Sequence, residues 1–159
     1  MQEELERCYA AALRILAYRF NSAAELRRKL RRKEFEDETI AATLSRLQAD
    51  KWLDDERFAG ALVRSRARKR VGRLRIRREL QEAGVAEDAA ARAIEENLDP
   101  EQERDELVVL GRKKIEALRR RHGDDYLSTE VARAKVASSL VRSGYETSMV
   151  LDVVAALMR

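Results

Sequence analysis

Residue types that support catalysis, metal binding or cross-linking are scarce in this chain of 159 residues. A single cysteine, Cys8, excludes an internal disulfide and a cysteine metal cluster, and a single histidine, His122, disfavours triad chemistry. The six glycines are isolated, and none belongs to a phosphate-binding loop. We therefore expect no cofactor, no metal site and no enzymatic activity.

Proline, aromatic residues and long apolar runs are also scarce. The chain has one proline, one tryptophan, four tyrosines and three phenylalanines, and it is rich in the residues that lose least on entering a helix. No run approaches the roughly 18 apolar residues of a membrane span, and the N-terminus lacks the features of an export signal. We expect an all-α, cytoplasmic protein that acts as a monomer, away from membranes.

A pattern of five apolar positions occurs three times at helical spacing. Units of this size bury little surface alone, so neighbouring units are expected either to stack or to be bridged by shared helices. We predict a tandem repeat of three three-helix units, over residues 1–53, 54–98 and 99–159, forming an elongated, curved body. The matching positions are Leu26, Leu30, Phe35, Ile40 and Leu44; Ile76, Leu80, Val85, Ala90 and Ile94; and Val136, Leu140, Tyr145, Val150 and Val154.

Helix starts are indicated by capping residues. Ser22 and Glu25 have the spacing of a capping box, and Pro100 suits the first turn of a long helix that runs to Arg121. The run Asp54-Asp55-Glu56 precedes another predicted helix; these carboxylates could hold a hard cation, but a capping role needs no metal. The first helix is predicted from an apolar stripe that extends from Leu5 to Phe20.

Glycines indicate turns and close packing. Gly84 and Gly144 end the second helices of their repeats, where a left-handed backbone is expected, whereas the first repeat has Glu34 at this position. Gly60 and Gly111 lie inside predicted helices, where they indicate either close helix packing or simple tolerance.

Basic residues are concentrated in three clusters, residues 27–33, 64–78 and 112–121, whereas residues 87–106 are strongly acidic. Nine cations without an acid between residues 64 and 78 repel one another in the free protein, which is typical of a surface that meets a polyanion or an acidic protein. The alternative is a merely solvated face, and for residues 27–33 it gains weight because Glu25 can pair with Lys29.

The predicted binding face comprises Arg57, Arg64, Arg66, Arg68, Lys69, Arg70, Arg73, Arg75, Arg77 and Arg78. Arg57, Arg64 and Arg68 are seven and four apart and would share one helix stripe. A secondary basic patch comprises Arg27, Arg28, Lys29, Arg31, Arg32 and Lys33.

Over residues 10–157 the chain resembles the RecX regulatory proteins of bacteria. The resemblance rests on the run 22–30 (SAAELRRKL), the box 52–59 (WLDDERFA), the segment 64–66, the run 72–80 (GRLRIRREL) and the pair Gly84-Val85. Arg133, Lys135 and the turn 143–145 also resemble the family. Arg73 follows Gly72 where many members have proline, and Ser139 stands where a large apolar residue is common.

This resemblance implies a negative regulator of the RecA recombinase. Such a protein would lodge in the groove of RecA–DNA filaments and inhibit strand exchange, ATP hydrolysis and coprotease activity, and so act in recombination, DNA repair and the SOS response, without a cofactor. The predicted binding face would meet acidic patches of the filament, bound DNA, or both. The alternative is a stand-alone helical module that binds DNA phosphates without sequence preference.

Overall fold

The computed structural model describes residues 1–159, which form ten helices and no strand. The predicted all-α class is confirmed. The helices are α1 (Gln2–Tyr18), α2 (Ala23–Arg32), α3 (Asp37–Ala49), α4 (Asp55–Arg68), α5 (Arg73–Glu82), α6 (Glu87–Asn97), α7 (Pro100–His122), α8 (Asp124–Leu127), α9 (Glu130–Arg142) and α10 (Thr147–Leu157). Helices α1–α3, α4–α6 and then α7, α9 and α10 follow the predicted repeat, and the short α8 is an addition that the sequence pattern did not indicate.

The repeated apolar positions form the interior. All of them are buried except Phe35, which is half-buried. Because burial of a Leu, Ile or Val side chain contributes about 1.5–3 kcal/mol, these positions account for much of the free energy that holds the helices together. None of the ten helices combines the length and the apolar composition that crossing a bilayer requires.

Most of the predicted helix starts are confirmed by hydrogen bonds. Ser22 caps α2 in a complete capping box with Glu25, and Asp99 caps α7 with Pro100 in its first turn. The Asp54 Oδ1 accepts from the backbone N–H groups of Glu56 (3.0 Å) and Arg57 (3.2 Å). Asp54 is thus a capping residue. The predicted apolar stripe of α1 is wrong at its end, because α1 stops at Tyr18 and Phe20 is exposed.

The turn after each repeat's second helix has a left-handed residue in all three copies. Glu34 has φ 66°, Gly84 has φ 77° and Gly144 has φ 98°. The predicted turns at the glycines are therefore confirmed, and Glu34 adopts the same conformation despite its Cβ. In the second copy Val85 N–H donates to Leu80 O (3.0 Å), the bond that closes a helix end of this type.

The helices divide into two compact units. The first unit comprises residues 1–61 and 79–93, and the second comprises residues 62–78 and 94–159. The core of the first unit contains Cys8, Ala12, Leu26, Ile40 and Leu47. The core of the second contains Leu107, Val136, Leu140, Tyr145 and Val150. The division into three units at residues 53 and 98 stays a prediction.

Gly111 marks close packing inside the second unit. A Cβ at this position of α7 would lie 3.0 Å from Leu157 Cδ1 and 3.8 Å from Leu140 Cδ1. These side chains belong to α10 and α9. Of the two interpretations of this glycine, close helix packing is confirmed.

Candidate partner-binding surface

Nine of the ten residues of the predicted binding face lie in the second unit, and the tenth, Arg57, lies in the first. We call residues 64–78 the basic segment; it includes the end of α4, the following loop and the start of α5. Its cations differ in exposure. Arg66, Arg70 and Arg73 are half-buried, and the exposed members are Arg64, Arg68, Lys69, Arg75, Arg77 and Arg78.

Arg73 is tied to a buried carboxylate of α7. Its Nε donates to Glu103 Oε2 at 2.9 Å, and its backbone N–H donates to Glu103 Oε1 at 3.2 Å. Glu103 is 7% exposed, so this pair satisfies a charge that would otherwise be costly to bury. A proline at position 73 could not supply the N–H. Arg73 therefore supplies both the ion pair and the backbone hydrogen bond to Glu103, neither of which a proline could make.

Arg70 makes a second ion pair to α7. Its Nε lies 2.7 Å from Glu106 Oε2, and both side chains are about one-third exposed. Arg70 itself has φ 54°, a left-handed conformation that allows the chain to turn between α4 and α5. Arg70 and Arg73 thus attach the loop of the basic segment to α7. This leaves the six exposed cations as the part of the segment that faces solvent.

The start of α5 contacts the turn between α9 and α10 through its backbone. Gly72 N–H donates to Ser143 O at 2.8 Å, and Leu74 N–H donates to Gly144 O at 3.0 Å. A Cβ at Gly72 would collide with the backbone of Gly144 and Tyr145. The glycine is required here because two backbones touch. This contact fixes the start of α5 and with it the positions of Arg75, Arg77 and Arg78.

A cleft of about 390 Å³ lies beside the basic segment in the second unit. Arg64 and Arg68 line it together with apolar side chains that include Val71 and Leu98, and Tyr145 is among the lining residues. Tyr145 is 1% exposed, and this burial, reinforced by Glu103 and Glu106, raises the pKa of its phenol to about 12. The phenol therefore stays neutral to a higher pH than that of an exposed tyrosine.

Arg57 lies in the first unit. It is exposed, its Nη2 donates to Lys51 O at 3.4 Å, and its guanidinium lies 5.3 Å from the centre of the Phe20 ring. This position over the ring explains how the exposed Phe20 is partly covered. Arg64 and Arg68 follow Arg57 on α4 at the predicted spacing of seven and four residues.

The secondary basic patch is more involved in internal contacts than the sequence indicates. Arg28 donates to Glu82 O (3.1 Å), and Arg31 pairs with Asp37 at 2.6 Å.

Lys29 donates to Asn21 Oδ1 (2.5 Å), and burial, with nearby Arg19, lowers its pKa. The expected Glu25–Lys29 ion pair is replaced by a pair between Arg19 and Glu25 at 3.2 Å. Of the other members, Arg27 is half-buried and Arg32 and Lys33 are exposed.

The residues that carry other predictions have structural roles. Cys8 is buried, and His122 ends α7 with its ring 4.3 Å from that of Tyr126. No group of three or more His, Cys, Asp or Glu side chains is arranged to hold a metal ion. Sequence reasoning missed the role of Glu103 and Glu106 as partners of the basic segment. The signal was present, because both belong to the acidic stretch 87–106.

Comparison with known proteins points to one family. Family models match residues 8–47 as the first three-helix domain of RecX and residues 54–94 as its second three-helix domain. The regulatory protein RecX of Geobacillus kaustophilus is 32% identical over 96% of this chain and 55% of its own length. That of Clostridium perfringens is 31% identical over 91% and 66%, and that of Xanthomonas campestris pv. campestris is 35% identical over 85% and 78%.

Solved structures support the same fold. The crystal structure of RecX from Lactobacillus salivarius superposes with a TM-score of 0.83 over 99% of this chain and 98% of that chain, at 21% identity. The present chain spans little more than half of the Geobacillus relative and about two-thirds of the Clostridium relative. Since relatives above 30% identity align over most of these residues and two family domains follow in order, the chain belongs to the RecX family of regulatory proteins.

Proposed function

We propose that this chain is a negative regulator of the RecA recombinase that binds in the groove of RecA–DNA filaments. Binding there would inhibit strand exchange, ATP hydrolysis and coprotease activity, in the cytoplasm where such filaments act. The family membership supports the regulatory role. The observation that carries the proposed contact is the set of six exposed cations on the basic segment, held in place by attachments to α7 and to the α9–α10 turn.

The partner of this surface is expected to be acidic. Exposed arginines keep their charge at any physiological pH and bind carboxylates and phosphates with two parallel hydrogen bonds. A filament offers both kinds of group, in acidic side chains and in the phosphates of the bound DNA. Arg73 and Arg70 are half-buried against Glu103 and Glu106, so the contact is assigned to the six cations that are exposed.

The test is the triple substitution of Arg68, Arg75 and Arg77 by alanine, assayed for inhibition of strand exchange and ATP hydrolysis by preformed RecA filaments. Each exposed charge pair contributes about 0.2–1 kcal/mol, so the triple variant is expected to need roughly tenfold more protein for half inhibition. The matched control replaces three exposed cations of α7, Arg112, Lys113 and Arg121, and it should inhibit like the wild type. Circular dichroism verifies that both variants keep their helicity.

Unchanged inhibition by the triple variant would place the contact elsewhere and leave the basic segment as a solvated face. No effect of the wild-type protein on filaments at saturating concentration would contradict the regulatory proposal itself. If the protein then bound naked DNA with an affinity that falls steeply with added salt, the stand-alone DNA-binding alternative would be favoured. The basic segment lacks aromatic side chains for base stacking, so such binding would be non-specific.

A further inference from the structure

The second unit has an apolar groove between α7 and α9 that the proposed function does not use. The groove has a volume of about 660 Å³, within the range of protein binding sites. Its apolar lining comprises Ala117, Leu118, Val131, Ala134 and Val136. Val131 is 59% exposed and adds an accessible aliphatic side chain to this lining.

The polar lining of this groove has one sign of charge. Lys114, Lys135 and Arg142 line it, together with Ser138 and Ser139, and no carboxylate is among the lining side chains. Lys135 also has its Nζ 5.8 Å from the centre of the ring of Tyr126, a residue of α8. An apolar floor with a cationic rim is complementary to a segment that is apolar on one face and acidic on its flanks.

The spacing of the lining residues suits a helix as the occupant. On α9, residues 131, 134, 135, 138 and 142 form one stripe, and on α7, residues 114, 117 and 118 form another. Two roughly adjacent helix stripes with a groove between them are the receptor in helix-in-groove recognition, where apolar side chains at every third or fourth position enter the groove. Ser139 contributes a small side chain at the place where a larger one would fill part of this space.

We propose that the α7–α9 groove is a docking site for an acidic amphipathic helix of a partner protein. The cations of the rim pair with Glu or Asp on the flanks of that helix, and its apolar face covers Val131, Ala134 and Leu118. The groove lacks the aromatic side chains on which bases stack, which disfavours a nucleic acid as the occupant. This site is separate from the basic segment in sequence and in its apolar character.

The test uses the whole protein and a fluorescent model peptide of about 15 residues, long enough to form a helix. The peptide carries Leu at every third or fourth position and Glu at most others, and binding is measured by fluorescence anisotropy. Val131→Glu introduces a like charge on the floor, and Ser139→Leu fills the groove. Each is expected to weaken binding by about tenfold or more, and binding to the wild type should weaken with added salt because the rim charges are screened.

The matched control is Val141→Glu, which adds the same charge at another exposed valine of α9 outside the groove. It should bind the peptide like the wild type, and circular dichroism verifies the fold of all variants. The proposal is overturned if Val131→Glu and Ser139→Leu bind as the wild type does, or if Val141→Glu loses as much. Equal binding of a peptide with Lys in place of Glu would also overturn it.

Three other occupants would give distinct results, each contradicting the proposal. Self-association through the groove would appear in sedimentation as a wild-type dimer that Val131→Glu disrupts. A lipid site would bind anionic vesicles, would lose that binding in Val131→Glu, and would not bind the peptide. A nucleic-acid site would bind DNA, would lose that binding in Val131→Glu, and would not bind the peptide. Neither the peptide result nor these outcomes depends on inhibition of RecA, so the two proposals succeed or fail separately.

Discussion

Two corresponding contacts in this molecule join the start of one helix to the turn after another. We call these contacts joints, and the two are built differently. In the first joint the start of α2 meets the α5–α6 turn, within the first unit, through the side chain of Ser22, whose hydroxyl donates to Ala83 O. In the second joint the start of α5 meets the α9–α10 turn, within the second unit, through backbone bonds from Gly72 and Leu74. The positions correspond in the repeat, since residue 22 becomes 72 and residue 83 becomes 143.

The difference lies in how closely the backbones approach. A Cβ at Gly72 would meet backbone atoms of the facing turn, and a Cβ at Gly144 would lie 2.9 Å from both Arg75 N and Gly72 O. At the first joint a Cβ on Gly84 would clash with the Cβ of Ala24, which is fixed by its own backbone, so glycine is needed on the turn side of this joint too. The second joint therefore needs glycine on both sides, whereas the first has at position 22 a side chain that caps α2. Two repeats of this chain thus share an arrangement of helices without sharing the contacts that hold it.

The largest expected effect comes from breaking the second joint. Gly144→Ala combines a left-handed backbone with a clash against backbone atoms that cannot turn aside, and we expect a loss of about 3 kcal/mol in the free energy of unfolding. Gly123→Ala is the control for backbone strain alone, because Gly123 has φ 84° and ψ 172°, which residues with a Cβ rarely adopt, but open space around it, and it should lose about 2 kcal/mol. Urea unfolding measures both. Equal losses would show that backbone strain alone, without the close contact, accounts for the effect.

The second prediction concerns Tyr145, whose counterpart at the first joint is Val85. The unfolded phenol titrates near pH 10, whereas in the folded chain its pKa is about 12. The folded state therefore holds the proton more tightly, so this contribution is complete below pH 10 and is lost as the pH rises towards 12. We expect the free energy of unfolding to fall by about 2–3 kcal/mol over that interval.

The measurement compares urea unfolding of the wild type and of Tyr145→Phe at about pH 9 and about pH 11.5. Because phenylalanine has no proton to lose, the variant should lack this part of the fall, while the other titrating groups affect both proteins alike. Parallel losses in the two proteins would contradict the assignment to Tyr145.

The third prediction concerns the first joint, which the substitution Ser22→Ala disrupts. Ser22→Ala removes the cap of α2 and leaves the buried carbonyl of Ala83 without its donor, for an expected loss of about 2 kcal/mol. Thr129→Ala is the matched control, because it removes an exposed helix cap whose hydroxyl donates to a nearby exposed carbonyl, that of Tyr126, and we expect a loss of about 1 kcal/mol. Differential scanning calorimetry gives both values. A loss at Ser22 no greater than at Thr129 would show that the buried bond to Ala83 contributes no more than an exposed local one.

The fourth prediction concerns the turn of the first repeat, where Glu34 stands in place of the glycine of the other two repeats. Glu34 is exposed and has φ 66°, a conformation that costs a residue with a Cβ about 1–2 kcal/mol, while glycine loses more entropy on folding. Glu34→Gly should therefore stabilise the chain by about 0.5–1 kcal/mol, seen as a higher urea midpoint. Glu36→Gly, in extended backbone at the start of α3, is the control and should not stabilise.

Local patterns predicted much of the fold. The capping box at Ser22, the proline at position 100 and the turns at Gly84 and Gly144 were predictable because helix starts and ends depend on residues within about four positions. The end of α1 was not, because Phe20 continues the apolar spacing after the helix has stopped and the Arg57 side chain covers it from α4. The apolar periodicity of the first helix carries no information about the contact between Arg57 and Phe20.

The candidate surface was predictable as a segment but not as a set of side chains. Charge clustering located the basic segment, yet it did not distinguish Arg70 and Arg73, which bind α7, from the exposed cations around them. Their partners, Glu106 and Glu103, are 36 and 30 positions away, a distance over which helical spacing carries no information. The α7–α9 groove was also out of reach, since its two stripes come from different helices.

The amino-acid sequence is sufficient to predict that this chain is all-helical, repeated and basic in clusters, and it contains the motifs of its family. Those properties follow from local spacing, capping and composition, which act between near neighbours in the chain. The tertiary structure alone decided which cations face solvent, why Gly72 and Gly144 must be glycine, and where an apolar groove lies open. These depend on atoms brought together from distant positions, where burial and close contact set the free energy.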